Sequence, residues 1–254
     1  MLWMFLISSI PFILLAGGIY GDYKATGYFP WQKEFDVKCF HVKKPRGNMY
    51  IFLYTKCVFK YNTCMNIFIL DENHDKCAEY HVDKHIVKMP LEAAQMLCTN
   101  HWVDKYLGFI PRKLDKEELA VIRKQKKNEP RDFPYLPTME NHPCTIWARS
   151  SLCNYEWLFC YALALDEEYG YRYGKSHKSV HGVILKLPEL LHLRRDGLTP
   201  FAQAMPDSLK GRNAVEAYRK FYHKDKATFA SWKYREKPPW WNEEEADYEQ
   251  RITR

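Results

Sequence analysis

His81, Asp83, Lys84, His85, Lys88 and Glu92 fall in one stretch, EYHVDKHIVKMPLEAAQML, whose other residues read as a buried helical face. On an unbroken helix His81, His85, Lys88 and Glu92 project at spacings of four, three and four, so their polar heads can converge. Three chemistries are open to such a cluster. It can be a solvated face on which Glu92 pairs with Lys88. It can be a metal site, because His81 and His85 stand one turn apart and a third ligand could come from His101, His142 or Glu92. Or it can be the working end of an enzyme. The H-E-x-x-H pattern of metal-assisted hydrolysis is absent, since Val82 follows His81. Pro90, between Lys88 and Glu92, weakens the case for a single shared face.

The elements that must position this cluster read as helices. Residues 66–70 alternate weakly and suit one short strand. Asp71 or Asn73 caps a helix to about Lys88, and Pro90 either kinks it or opens a second helix over LEAAQMLCTNHW. A charged helix, DKEELAVIRKQKKN, follows between Gly108 and Pro137. The stretch HPCTIWARSSLCNYEWLFCYALALDEEYG carries a wide apolar face (Trp147, Tyr155, Leu158, Ala162, Leu165) and is expected to be the central core helix. Shorter helices are expected around VILKLPELLHL and, with Asn213 and Glu216 as a capping box, over AVEAYRKFYH. The expected fold is mainly α: a single helical domain over 65–241 with one short N-terminal strand, preceded by a separable apolar segment (1–64) and followed by an acidic tail (242–254).

Composition supports a packed chain, with 46% hydrophobic and 16% aromatic residues. Of the net charge of +7, five units sit in residues 1–64, where eight Lys/Arg face three Asp/Glu. Basicity alone therefore does not establish a nucleic-acid partner. The eight cysteines form no C-x-x-C pair, and the last five lie on apolar helical segments, which reads as reduced, buried thiols. Residues 1–21 are apolar for about one bilayer's thickness and offer a membrane contact or anchor. Composition changes abruptly at Met65, which is the expected natural start. That start implies an intracellular, cytoplasmic protein, whereas retention of residues 1–21 implies a membrane-anchored one. The sequence carries no signal for oligomeric state.

Two segments interleave rings and cations in a way that suits nucleic acid. EYGYRYGKSHK brings Tyr171 and Tyr173 beside Arg172 and Lys175, and FYHKDKATFASWKYREKPPWW brings Trp232 and Tyr234 beside Lys233 and Arg235. Cations neutralise phosphates while rings stack on unpaired bases. The alternative for each is a helix end packed by aromatics with Lys and Arg stems around it. Arg149 can face the cleft and pair with Glu92 or a phosphate. No Gly-rich phosphate loop, nucleophile elbow, zinc ribbon or dinucleotide fingerprint occurs, and no cofactor is expected.

MNIFILDENHDKCAEYHVDKHIVKMPLEAAQML, with Asp83, His85 and Glu92 in a D-x-H-x6-E arrangement, is similar to the first helix of the pyrimidine dimer DNA glycosylases, the phage endonuclease V family. NYEWLFCYALALDEEYGYRYGK resembles that family's second long helix, and SWKYREKPPWW its aromatic and basic C-terminal segment. The resemblance is patchy and runs from Met65 onward. It implies a DNA glycosylase/AP lyase acting on damaged or locally unpaired DNA, at pyrimidine dimers or abasic sites. An amine attacks C1′ of the sugar, forms a Schiff base and breaks the strand by β-elimination. Glu92 assists, and His85 lies in the same cleft as a phosphate contact or structural partner. The family's nucleophile is the α-amine of a small second residue. Here Asn66 is large enough for Met65 to be retained, so the α-amine of Met65, or Lys84 or Lys88, takes that place. With residues 1–64 attached the α-amine is unavailable. The family's arginines around the glutamate are Leu91 and Gln95 here. The other readings are a non-enzymatic, phage-type nucleic-acid-binding module and a metal-dependent hydrolase using His81 and His85.

Overall fold

The computed structural model describes the backbone of residues 36–43 and 49–56, and residues 65–252 apart from 128, 129 and 191. The expected membrane segment, 1–21, lies outside the described residues. The chain divides into two units, Met1–Cys64 and Met65–Arg254. In the first unit, strands β1 (Asp36–Lys43) and β2 (Met49–Lys56) pair antiparallel with Asp36 opposite Lys56.

The second unit is helical. Asn73 caps α1 (His74–Tyr80) by accepting the Lys76 N–H. The chain then leaves the helix at His81 and re-enters as α2 (Asp83–Leu107), which runs through Pro90 without a break. The cluster therefore straddles a helix boundary, with His81 before it and His85, Lys88 and Glu92 after it. Asp115 and Glu118 form a reciprocal capping box on α3 (Lys116–Gln125), whose side chains are largely exposed as its charge pattern predicts.

The expected central helix is two. α4 (Pro143–Ser150) ends at Ser151, whose extended backbone (φ −153, ψ 149) and hydroxyl cap α5 (Leu152–Tyr173). Ser151 Oγ also donates to Gly197 O at 2.7 Å, and Asn154 holds Thr199, so the break is where a distant loop docks. α5 packs on α1, α2 and α4 and is the central element of the unit. Gly174, in the left-handed region (φ 67), ends it. α6 (Lys178–Gly182), α7 (Ala214–Phe221, capped by Asn213) and a π turn at Tyr222–Lys226 follow. The acidic segment after Trp241 folds as α8 (Glu243–Ile252), with Ala246 buried and the Asn242 N–H donated to His223 Nε2.

No strand forms over 66–70. The Asn66 side chain accepts the N–H groups of Ile67 and Phe68, the Leu70 N–H goes to Cys77 Sγ, and the Ile67 carbonyl accepts from Tyr161. Side chains have taken the groups a ladder would need. Phe68 is turned to φ 48 and wedged between His85 and Phe221. Among the described residues no disulfide forms, with Cys77, Cys98 and Cys144 buried, Cys153 half-buried and Cys160 exposed. No described helix is long and apolar enough to cross a membrane.

Candidate functional site

Glu92 is buried, and its two oxygens hold different partners. Oε1 takes the Lys88 ammonium at 2.7 Å, one turn earlier on α2, and Oε2 accepts the backbone N–H of Asn66 at 3.0 Å. Burial raises the carboxyl's pKa above its ordinary value, against the opposing pull of Lys88, the Asn66 N–H and Lys226. A solvated i,i+4 surface pair is excluded by this burial. Both carboxylate oxygens are bonded, and the partner Lys88 reaches water with a quarter of its side chain.

The same N-terminal segment touches His85. Two residues beyond Asn66, the Phe68 ring stacks on the imidazole with centroids 4.6 Å apart, and Lys226 lies 5.4 Å over that phenyl ring. Asn66 itself is a fully buried hub. Its side-chain oxygen also accepts from Tyr218, and its amide nitrogen donates to Ala204 O.

His81 and His85 meet at one hydroxyl, because Tyr222 Oη lies 2.5 Å from Nδ1 of each ring. The other nitrogen of His81 is bonded to Tyr161 Oη, which donates in turn to the Ile67 carbonyl at 2.8 Å. Both ring nitrogens of His81 are thus engaged by phenols, which argues against the metal reading. Among the described residues no group of three His, Cys, Asp or Glu side chains is arranged for a metal ion. Burial lowers the His81 pKa to about 3, assisted by the nearby Arg172 charge, and burial, His81, Lys226 and Lys88 hold His85 well below its ordinary value. Both rings are neutral at pH 7.

The remaining candidates separate into interior and surface. Lys84 lies over the Phe229 ring, 4.8 Å from its centroid. Met65 is buried beside Asn66. Arg149 does not reach Glu92 or a surface cleft, because its three guanidinium nitrogens donate to the carbonyls of Ile110, Glu140 and Arg112. Arg172 is likewise internal, bonded to Glu168, Asp83 and the carbonyls of His81 and Glu79. Trp232 is buried with its indole N–H on Tyr80 O, and Tyr173 is half-buried with its hydroxyl on Asp83 O.

Tyr171, Lys175, Lys233 and Tyr234 are exposed. Tyr171 and Tyr234, with Tyr80, Lys233, Arg235 and Lys237, line a cleft of about 640 Å³ that also includes Glu79 and Glu236. The Arg235 guanidinium lies 3.8 Å over the Tyr171 ring while Glu168 holds its nitrogens. Asp83, at the first turn of α2, fastens this cleft by accepting from Ser231 Oγ and the Lys233 N–H. Glu92 lies nine residues further along the helix, about 14 Å at the helical rise.

Asn66 was read in the sequence only for its size beside Met65, and Phe68, Tyr161, Tyr222 and Lys226 went unnoticed. Asn66 alone carried a signal, as the one polar residue in the run MNIFIL. No family model, curated protein or solved structure matches the chain.

Proposed function

We propose that this protein is a DNA glycosylase/AP lyase in which an amine held against Glu92 attacks C1′ of a damaged or abasic nucleotide. The observation that carries this reading is the buried Glu92 carboxylate 2.7 Å from the partly exposed Lys88 ammonium. A lysine must lose a proton to attack, and the carboxylate that would take it is in place, its proton affinity raised by burial. At an abasic site the freed amine adds to the C1′ aldehyde. Glu92 then returns the proton to the departing hydroxyl, which leaves as water, and an iminium forms. In a chain that begins at Met65 the α-amine would stand one residue from the Glu92-bonded nitrogen and could act instead. With residues 1–64 attached, Lys88 is the amine.

DNA is the favoured partner because the cleft offers exposed rings beside Lys233, at the end of the helix that carries Glu92. The experiment is borohydride trapping on a duplex with one abasic site. A covalent protein–DNA adduct that is lost in Lys88→Arg supports the proposal. Binding without any adduct would leave a nucleic-acid-binding module.

A further inference from the structure

The hydrogen-bond directions around His81 and His85 leave one solution. Tyr161 donates its only hydroxyl proton to the Ile67 carbonyl, so it must accept from His81, and His81 carries its proton on Nε2. His81 Nδ1 is then an acceptor, and Tyr222 must donate to it. Having spent its proton, Tyr222 can only accept from His85, whose proton is therefore on Nδ1. Among the described residues nothing hydrogen-bonds His85 Nε2, which keeps a lone pair.

We propose, building on the lyase reading, that His85 Nε2 is the base that removes the C2′ proton in β-elimination, and that Tyr222, His81 and Tyr161 are positioning residues that lock its tautomer. The chain of bonds is a lock rather than a proton wire. It ends on a carbonyl, which cannot take up a proton. A proton gained by His85 therefore stays on Nε2 and is not passed along the chain.

Placement agrees with this role. His85, Lys88 and Glu92 follow at i, i+3 and i+7 on α2, and the segment Asn66–Phe68 touches Glu92 at one end and the His85 ring at the other. The groups facing His85 are His81, Tyr222, Lys88 and Lys226, with no carboxylate among the charges acting on it. The ring is thus held neutral, with Nε2 as its one acceptor nitrogen.

In the step itself, Nε2 takes the C2′ proton of the iminium, and the C2′–H electron pair becomes the C2′–C3′ double bond. The C3′–O bond breaks with its pair on the phosphate oxygen. Imidazolium then releases the proton to water, and hydrolysis of the iminium frees the amine. No further reactant than water is needed.

The test uses the full chain and an abasic-site duplex, reading trapping and strand scission separately. His85→Gln should keep borohydride trapping within about threefold of wild type while scission falls about a hundredfold or more. Tyr222→Phe, which keeps the ring's packing, should lower scission about tenfold, and nitrogen NMR should show His85 passing from one tautomer to a mixture. Scission by His85→Gln at the wild-type rate, equal loss of trapping and scission in a folded His85→Gln, or an Nε2-protonated His85 in the wild type would each overturn the assignment. Failure of the wild type to trap at all would remove the lyase reading and this inference with it. That outcome is distinct from trapping that persists with unchanged scission, which removes the inference alone.

Discussion

Lys88 and Glu92 form an ion pair of unequal burial, 25% of the lysine side chain being exposed against 6% of the glutamate's. The carboxylate is fixed by its second bond, from the Asn66 N–H, while the amine stays reachable. This asymmetry separates the two roles experimentally. Glu92→Gln retains an acceptor for Asn66 and removes only the charge, so scission at an abasic site should fall about a hundredfold or more while the unfolding midpoint moves little. Lys88→Arg keeps the positive charge but cannot form the imine, so the borohydride adduct should vanish on a denaturing gel.

Stability should fall on acidification below neutral pH. His81, His85 and His101 have folded pKa values depressed chiefly by burial, His81 to about 3 and His101 to about 4, whereas the unfolded chain takes up their protons near the ordinary value of 6.5. Their contribution is present above that value and is lost as pH falls toward the folded values, at up to about 1.4 kcal/mol per pH unit for each histidine. Glu92 acts in the opposite sense. Its folded pKa lies above 4.5, so its contribution is complete below 4.5 and is lost as pH rises through the folded value. Urea unfolding should therefore show stability rising with pH between about 5 and 6.5, with a smaller slope in His101→Gln.

Arg172 is fully enclosed, and its removal would strip partners from Glu168 and Asp83 and from the carbonyls of His81 and Glu79. Arg172→Ala should cost about 3–5 kcal/mol in urea unfolding, because a buried pair broken on one side leaves an uncompensated group. Unchanged stability would place this arginine at the surface, where its sequence context first suggested it.

Lys233→Ala, Tyr171→Ala and Tyr234→Ala should weaken DNA binding without lowering stability. The salt dependence should lose about one counterion for the lysine, and the tyrosines should act through stacking. Trp232→Ala, from the same run of sequence, should instead destabilise by about 3–5 kcal/mol, since its indole is buried and bonded to Tyr80 O. Fluorescence anisotropy with a single-stranded oligonucleotide at several salt concentrations distinguishes the two classes.

The sequence by itself determined what depends on near neighbours. The caps at Asn73, Asp115 and Asn213 are bonds spanning three residues or fewer, and the Lys88–Glu92 pair spans one turn. Helical periodicity carried the mainly α character in the same way. Tertiary structure decided the rest. A guanidinium reads identically in sequence whether it meets a phosphate or, like Arg149, three main-chain carbonyls. The break at Ser151 depends on a loop more than forty residues later, and the strand at 66–70 was lost to side chains from Asn66, Cys77 and Tyr161. His81 and His85 share a hydroxyl from Tyr222, 141 and 137 residues away. Local spacing cannot encode such a partner, because only the packing of the π turn against α2 brings that hydroxyl to the rings and, through its single proton, chooses which nitrogen each histidine presents.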